Sequence, residues 1–276
     1  MRALIATDLS HATRTMVSSR RTLDSLQAIG VETIHLVTVI NTDEATIPGL
    51  AVEDKRRVAI DRQEAALIDA GFDVDVHALR GTPHQRINDV AESEDVDLIL
   101  MGSQTERPFE ARPIGRTARN MARSTVAPLL ICRLTVDDDE VSMRHDRPFE
   151  RILYATDFSD NANLAFDELR ELEPAVDTSH LLHVSGSDES PSEDATDRLE
   201  ALASELGEAG IGTSIAVEHG DPAEEILAAA DAFDPTCILV GSRGQGRLRR
   251  LLLGSVSGHV AIHSETNVLI VPPSRR

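Results

Sequence analysis

Short apolar runs alternate with longer stretches of helical period along this chain. The runs have the length of buried strands, and the longer stretches have the spacing of helices. This alternation predicts parallel strands joined by crossover helices. The predicted strands are 2–6, 33–39, 73–77, 98–102 and 129–132 in the first half, and 151–155, 179–184, 212–217, 236–241 and 267–271 in the second.

Helices are predicted between the strands of the second half. Pro222 suits the first turn of its helix, because the N–H that proline lacks would have no intrahelical partner there. The first half follows the same plan. The predicted helices of the second half are 161–172, 192–206, 222–232 and 255–263.

The whole pattern occurs twice. In each half, Ala-Thr-Asp follows the first strand, Gly-x-Pro follows the third, and two further glycines come after the fourth. The matched positions are Asp8 and Asp157, Gly81 and Gly220, Gly102 and Gly241, and Gly115 and Gly254. Landmarks repeated in the same order indicate a tandem repeat. The sequence therefore predicts domains at 1–135 and 150–274, and the acidic stretch 136–149 is interpreted as a solvated linker without a core.

Each domain is expected to be α/β, a five-stranded parallel sheet with helices on both faces. Such a sheet usually reverses its strand order at one point, and ligands bind outside the carboxyl ends of the strands beside that reversal. If strands 1 and 4 flank the reversal, the strand order is 3-2-1-4-5, and the turn at Asp157 and the loop that begins at Gly241 face one crevice.

The loop after the fourth strand of the second domain has the composition of an anion cradle. Its glycines permit backbone angles that let successive N–H groups turn around an anion. Gly254-Ser255 then opens a helix, whose free N–H groups and positive dipole end favour negative charge. Several arginines lie in the same stretch. The residues concerned are Gly241, Gly244, Gly246, Ser255, Ser257, Arg243, Arg247, Arg249 and Arg250.

This cradle is neither of the two common phosphate motifs. No Gly-x4-Gly-Lys-Ser/Thr occurs, and a dinucleotide fingerprint would follow the first strand instead of the fourth. The pattern Gly-x2-Gly-x9-Gly-Ser after a fourth strand, with Ala-Thr-Asp after a first, resembles the ATP-binding branch of the universal stress protein family. The resemblance covers both halves, and it implies two tandem Rossmann-like domains of the adenine nucleotide hydrolase-like type.

In that family the aspartate turn and the end of the second strand hold adenine and ribose, and the glycine loop and helix start hold the phosphates. The resemblance therefore implies ATP, with AMP or ADP as alternatives, and Mg²⁺ or Mn²⁺ held mainly by the phosphates. No catalytic residue and no protein metal site are assigned. The implied cofactor-binding residues are Thr156, Asp157, Val184, Val240, Gly241, Arg243, Gly244, Gly254, Ser255, Val256 and Ser257.

The first copy departs from this motif at the phosphate end. Thr105 replaces the second glycine and resists positive φ, and Arg116 is expected at the helix N-cap, where it lacks a short capping oxygen. Glutamates add negative charge, and prolines remove amide donors. We expect no ATP in the first domain. The altering residues also include Glu106, Glu110, Pro108 and Pro113, while Arg107, Arg112, Arg116 and Arg119 would be solvated or form a different anion site.

Charge narrows the classes of partner. The chain has 47 acidic against 27 basic residues, a net charge of −20, which argues against nucleic-acid binding. No apolar run is long enough to span a membrane, and the N-terminus lacks a basic-then-apolar leader, so a cytoplasmic protein without a membrane partner is expected. A single lysine, Lys55, among so many carboxylates resembles the composition of halophilic archaeal proteins.

Cysteines and histidines indicate no further site. Cys132 and Cys237 lie in apolar runs and are expected to be buried without a disulfide or metal. His180 and His183 are three apart in a strand and face opposite sides, although His183 is a candidate lining residue. The pair His259 and His263, four apart on a helix, is expected to have a surface or capping role.

Three functions stay open. The favoured one is an ATP-binding protein of stress response or signalling, which works through nucleotide-dependent association and has at most slow ATP hydrolysis. The second is an adenine-nucleotide hydrolase or nucleotidyl transferase, and the third is a structural adaptor without nucleotide. The last strands are apolar edges that need cover, so the two domains are expected to pair as a pseudo-dimer. A homodimer of chains and an unknown protein partner stay open.

Overall fold

The computed structural model describes residues 1–40, 50–106, 114–137, 140–186, 193–244 and 254–273. The strands are β1 Arg2–Thr7, β2 Thr33–Ile40, β3 Asp73–Arg80, β4 Leu98–Glu106, β5 Leu129–Asp137, β6 Glu140–Met143, β7 Arg151–Thr156, β8 Thr178–Ser185, β9 Gly212–His219, β10 Cys237–Gly241 and β11 Asn267–Val271. The helices are α1 His11–Val17, α2 Arg20–Ala28, α3 Leu50–Asp69, α4 Pro83–Ser93, α5 Arg116–Ser124, α6 Asp160–Glu171, α7 Glu193–Glu208, α8 Pro222–Phe233 and α9 Ser255–His263, with a 3-10 turn at Glu173–Ala175.

The strand order within each half is the predicted one. The first half reads β3-β2-β1-β4-β5, and the second reads β9-β8-β7-β10-β11, with all neighbours parallel. The order reverses beside β1 and beside β7, because each lies between the second and the fourth strand of its half. The carboxyl ends of β7 and β10 therefore border one crevice, as expected.

The two halves join edge to edge in one sheet. Strand β5 pairs antiparallel with β11, and Ile131, Leu130 and Leu129 face Val268, Leu269 and Ile270. This confirms the predicted pairing of the last strands within one chain. Because corresponding positions of both halves lie on the same face of the sheet, a pseudo-twofold axis runs through this seam, perpendicular to the sheet.

Two apolar cores cover the two faces of the sheet, and each extends across both halves. Odd and even positions of the strands alternate between them, as the period of a strand requires: Ile5 and Tyr154 lie in one core, Leu4 and Leu153 in the other. Cys132 and Cys237 are fully buried. Burial raises the pKa of the Cys132 thiol to about 12, so the thiol stays protonated.

The segment interpreted as a solvated linker is in part folded, and this corrects the sequence analysis. Residues Glu140–Met143 form β6, which pairs antiparallel with the end of β5. Val141 and Met143 face the protein, whereas Glu140 and Ser142 are exposed. Phe149 is fully buried. This alternation of apolar and polar residues is a strand signal, which the neighbouring acidic residues obscured.

Within the described residues, no helix is long and apolar enough to cross a bilayer.

Candidate functional site

A crevice of about 510 Å³ lies at the carboxyl ends of β7 and β10 in the second domain. The structure brings all eleven predicted cofactor-binding residues to its lining. One end is apolar, and the other is formed by glycines and hydroxyl groups. Lining residues that the sequence analysis did not assign to the site are Ala155, Ala162, Leu182, Pro222 and Ile226.

The turn after β7 holds Asp157 in a fixed position. Phe158 adopts a left-handed φ of 57°, an unusual conformation for a residue with a side chain. Its N–H donates to Thr156 Oγ1 at 2.9 Å, and Ser159 N–H donates to Asp157 Oδ1 at 3.0 Å. Both bonds hold the carboxylate of Asp157 at the crevice.

The corresponding turn of the first domain has the same geometry. Leu9 has a φ of 64°, and Ser10 N–H donates to Asp8 Oδ1 at 2.9 Å. The aspartate end of the motif is therefore intact in both halves, in agreement with the repeat found in the sequence.

The glycine loop approaches the aspartate so closely that a side chain would not fit. A Cβ added at Gly244 would lie 2.5 Å from Asp157 Oδ2. At the start of the loop, a Cβ on Gly241 would lie 3.0 Å from the backbone oxygen of Asn161. A side chain at Gly244 would therefore displace the carboxylate of Asp157, and one at Gly241 would require the strand end or the backbone of α6 to shift.

Asn161 on α6 anchors the loop. It is 7% exposed, and its Oδ1 accepts hydrogen bonds from Arg243 N–H at 2.8 Å and from Ser242 Oγ at 3.3 Å. Its Nδ2 donates to the carbonyl of Val271 at 3.2 Å. In the first domain the equivalent residue is Ala12. The sequence analysis missed Asn161, although the difference between the two copies was a signal that could have identified it.

Helix α9 begins at the phosphate end of the crevice. Gly254 is its N-cap residue, and Gly254 N–H donates to the carbonyl of Ser242 at 2.8 Å. Ser257 Oγ donates to the same carbonyl at 3.1 Å, so this hydroxyl supports the loop while it lines the crevice. Ser255 is exposed at the first helical position. Gly246, Arg247, Arg249 and Arg250 lie outside the described residues.

An aromatic stack borders the Asp157 turn. The ring of Phe158 lies between His183, at a centroid distance of 4.7 Å, and the guanidinium of Arg198, at 3.9 Å. His183 Nδ1 is 2.9 Å from the carbonyl of Thr156. His183 therefore supports the turn from outside, and it is not one of the described residues that line the crevice.

The first domain has a crevice of about 570 Å³ in the equivalent place. Asp8, Gly102, Arg56 and Arg116 line it. Its phosphate end differs from that of the second domain, because β4 continues to Glu106, whereas β10 stops at Gly241.

Two expectations about this end are corrected. Thr105 does not occupy a glycine-type loop: it lies in β4 and pairs with Thr135 of β5, which uses backbone groups that a phosphate loop leaves free. Arg116 is the first helical residue of α5, and Gly115 is the N-cap, without a side-chain cap hydrogen bond. Arg107, Pro108, Glu110, Arg112 and Pro113 lie outside the described residues.

The remaining histidines make structural contacts. His180 stacks on Phe233 at 3.6 Å and bonds Ser214 Oγ at 2.7 Å, and burial lowers its pKa. His259 and His263 stack at 3.9 Å on α9. Among the described residues, no group of three or more His, Cys, Asp or Glu side chains is placed to hold a metal ion.

Comparison with known proteins gives a consistent result. The universal stress protein family matches residues 1–133 and 148–272. A universal stress protein of Methanocaldococcus jannaschii is 29% identical over an alignment of 153 residues that covers 45% of this chain and 94% of that protein. The stress response protein NhaX of Bacillus subtilis is 40% identical over 79 residues, 27% of this chain and 48% of that protein. In structure, a universal stress protein from Archaeoglobus fulgidus superposes with a TM-score of 0.76 and 24% identity, covering 98% of both chains.

Proposed function

This chain belongs to the universal stress protein family, which has a stress-response role, and from that premise we propose that its second domain binds ATP. The protein then acts in the cytoplasm through nucleotide-dependent association with a second copy or another protein. The observation that carries the proposal is the single crevice that collects the Asp157 turn, the glycine loop and the start of α9.

The apolar end of the crevice supports adenine and ribose binding. Leu182, Val184, Ile226 and Val240 form a surface on which a flat base can be buried. Asp157 lies beside it as the one carboxylate among the described lining residues. A carboxylate accepts hydrogen bonds and donates none, and this suits the hydroxyl groups of a ribose.

The polar end supports phosphate binding. The first N–H groups of α9 have no intrahelical partners, and the helix dipole favours an anion there. Ser255 adds an exposed hydroxyl, and Arg243 adds positive charge to the lining. AMP or ADP would occupy the same crevice with fewer contacts at this end.

A divalent metal fits this site only as a companion of the phosphates. With the one lining carboxylate, Asp157, on the nucleoside side, Mg²⁺ or Mn²⁺ would take most of its ligands from phosphate oxygens and water. Such an ion would neutralise phosphate charge. Because Asp157 is the one carboxylate among the described lining residues and already accepts a hydrogen bond from Ser159 N–H, we expect little or no ATP turnover.

The first domain is proposed not to bind ATP. Its loop amides are used in pairing with β5 through Glu106, and Ala12 replaces the asparagine that anchors the loop in the second domain. The expected stoichiometry is one ATP per chain.

The test is calorimetric titration of the full chain with ATP, followed by the same titration of Gly244→Val. A valine there would collide with Asp157 Oδ2, so we expect binding to be lost. Gly207→Val is the matched control, since an added Cβ at this exposed glycine meets nothing within 4 Å. No binding by the unmodified chain, or two ATP per chain, would contradict the proposal.

Two further measurements test nucleotide-dependent association and ATP turnover separately. Sedimentation of the full chain with and without ATP tests nucleotide-dependent association, and an unchanged mass would count against self-association. Incubation with ATP and Mg²⁺, with ADP, AMP and pyrophosphate measured, tests turnover. Release of pyrophosphate at tens per second, an ordinary enzyme rate, would favour a hydrolase or transferase instead.

A further inference from the structure

A second cavity lies at the seam of the two domains, between α5 and α9. It has a volume of about 290 Å³, and four cationic or titratable side chains line it: Arg119 and Arg123 from the first domain, His259 and His263 from the second. Pockets for small organic molecules usually occupy roughly 300–1,000 Å³. The volume of this seam cleft lies at the lower end of that range, and its lining is rich in cationic and titratable groups.

The seam cleft adjoins the crevice of the second domain at the start of α9. The pseudo-twofold axis relates α5 to α9, so the two helices run antiparallel and the last turn of α5 lies beside the first turn of α9. Gly254 and Ser255 line both cavities. An anion held at the start of α9 is thus open to the crevice on one side and to arginines of the first domain on the other.

Among the described residues, the arginines of the seam cleft have no carboxylate partner. In a chain of 47 acidic and 27 basic residues, arginines such as Arg144 and Arg151 form ion pairs with carboxylates. Within the described part of the chain, neither Arg119 nor Arg123 makes an ion pair, and Arg119 Nε is buried without a hydrogen-bond partner.

One carboxylate lies nearby on the side of α8. Glu224 Oε1 is 3.4 Å from His259 Nε2, and its side chain is 68% exposed. This contact places one negative charge beside His259. Of the two arginines that line the cleft, Arg119 is half-buried and Arg123 is exposed. Buried N–H donors without partners are costly, and guanidinium groups match phosphate oxygens in geometry and charge.

We propose that the seam cleft is a phosphate-binding subsite, in which Arg119 and Arg123 of the first domain hold phosphate groups at the start of α9. The phosphate has two candidate sources, the terminal phosphates of a nucleotide in the second-domain crevice and a free inorganic polyphosphate. If the phosphate belongs to a nucleotide, the inference rests on the proposed ATP binding. If it is a free inorganic polyphosphate, the inference does not depend on ATP binding.

The experiment compares the full chain with the double variant Arg119→Gln, Arg123→Gln. The matched control is Arg20→Gln, Arg21→Gln, which removes the same charge from exposed arginines that are paired with Asp24 and Asp146. The dissociation constants of ATP, AMP and inorganic tripolyphosphate are measured for each by calorimetry, at one ionic strength. Circular dichroism checks that the variants fold.

We expect the cleft variant to bind ATP or tripolyphosphate at least tenfold more weakly, while AMP binding and the control change less than twofold. Weaker ATP binding with unchanged AMP binding identifies the nucleotide as the source. Tripolyphosphate binding that persists in Gly244→Val and disappears in the cleft variant identifies a free polyphosphate.

The outcomes separate this inference from the proposed function. If ATP and tripolyphosphate bind the cleft variant as tightly as the unmodified chain, the subsite is refuted and ATP binding in the crevice stands. If the unmodified chain binds tripolyphosphate but no ATP, the proposed function fails and the cleft variant still decides the subsite. Binding of neither ligand refutes both.

Discussion

Asn161 gives the sharpest test of how the second-domain loop is held. Asn161→Ala removes the acceptor of Arg243 N–H at 2.8 Å and of Ser242 Oγ at 3.3 Å, as well as the donor to Val271. A buried hydrogen bond contributes about 1 kcal/mol, and a buried donor left without a partner costs roughly 1–3 kcal/mol. Since Asn161 is 7% exposed, water replaces these bonds poorly, and we expect unfolding to become easier by about 2–4 kcal/mol.

The effect on the nucleotide follows from the same contacts. Without the anchor, the loop must be ordered by the ligand, and part of the binding free energy is used for that ordering. A cost of about 1.4–2.8 kcal/mol corresponds to ATP binding that is roughly ten- to hundredfold weaker. We expect this loss in a calorimetric titration at a temperature where both proteins are folded.

Asn163→Ala is the control, because Asn163 is exposed two residues further along the same helix. It removes the same chemical group at a position without a hydrogen bond to the described loop residues 241–244, so both its stability and its ATP affinity are expected to match those of the unmodified chain. If Asn161→Ala binds ATP within twofold of the unmodified chain, the loop does not depend on this side chain, and the reasoning is refuted.

Three further results are expected. Burial, with Glu171 and Asp97 nearby, raises the pKa of Glu168 to about 7, so the folded protein keeps a proton that the unfolded chain releases near pH 4.5. The free energy of unfolding therefore falls by at most about 3 kcal/mol as pH rises from about 4.5 to 7. Glu168→Gln is expected to remove this part of the pH profile in urea titrations. Arg133 is fully buried, donates to the carbonyl of Ala261 at 2.6 Å, and has a pKa lowered to about 10 by burial. In chemical denaturation, the free energy of unfolding of Arg133→Met should be within about 1 kcal/mol of that of the unmodified chain, because the lost hydrogen bond and the lost desolvation cost offset each other. Arg133→Ala should be less stable by about 2–5 kcal/mol because it leaves a cavity, and equal losses in both variants would contradict this reasoning. Salt should raise the urea midpoint between 0.1 and about 2 M KCl, since it screens a net charge of −20, and an unchanged midpoint would count against a salt-adapted protein.

The fold was predictable because its signals are local and repeated. Helix Ser255–His263 and strand Asn267–Val271 have the bounds that periodicity predicts. The rules for crossover connections limit the possible strand orders, and the resemblance to a known family selected among them. The repeat then extended each assignment from one half to the other.

The parts that could not be predicted depend on contacts between distant segments. The extension of β4 through Thr105 requires the partner strand β5, whose path the sequence around Thr105 does not reveal. The anchor Asn161 is an ordinary residue in a helix, and only its position beneath the glycine loop makes it important. The seam cleft depends on the approach of α5 to α9, which exists only after the two domains have joined.

The antiparallel pairing of β5 with β11 has a consequence for how the molecule meets other proteins. The five parallel strands of the first half run opposite to those of the second half. The first-domain crevice and the second-domain crevice therefore open at opposite edges of the sheet. No single small molecule can touch both. A protein bound over one crevice therefore leaves the crevice at the opposite edge of the sheet uncovered.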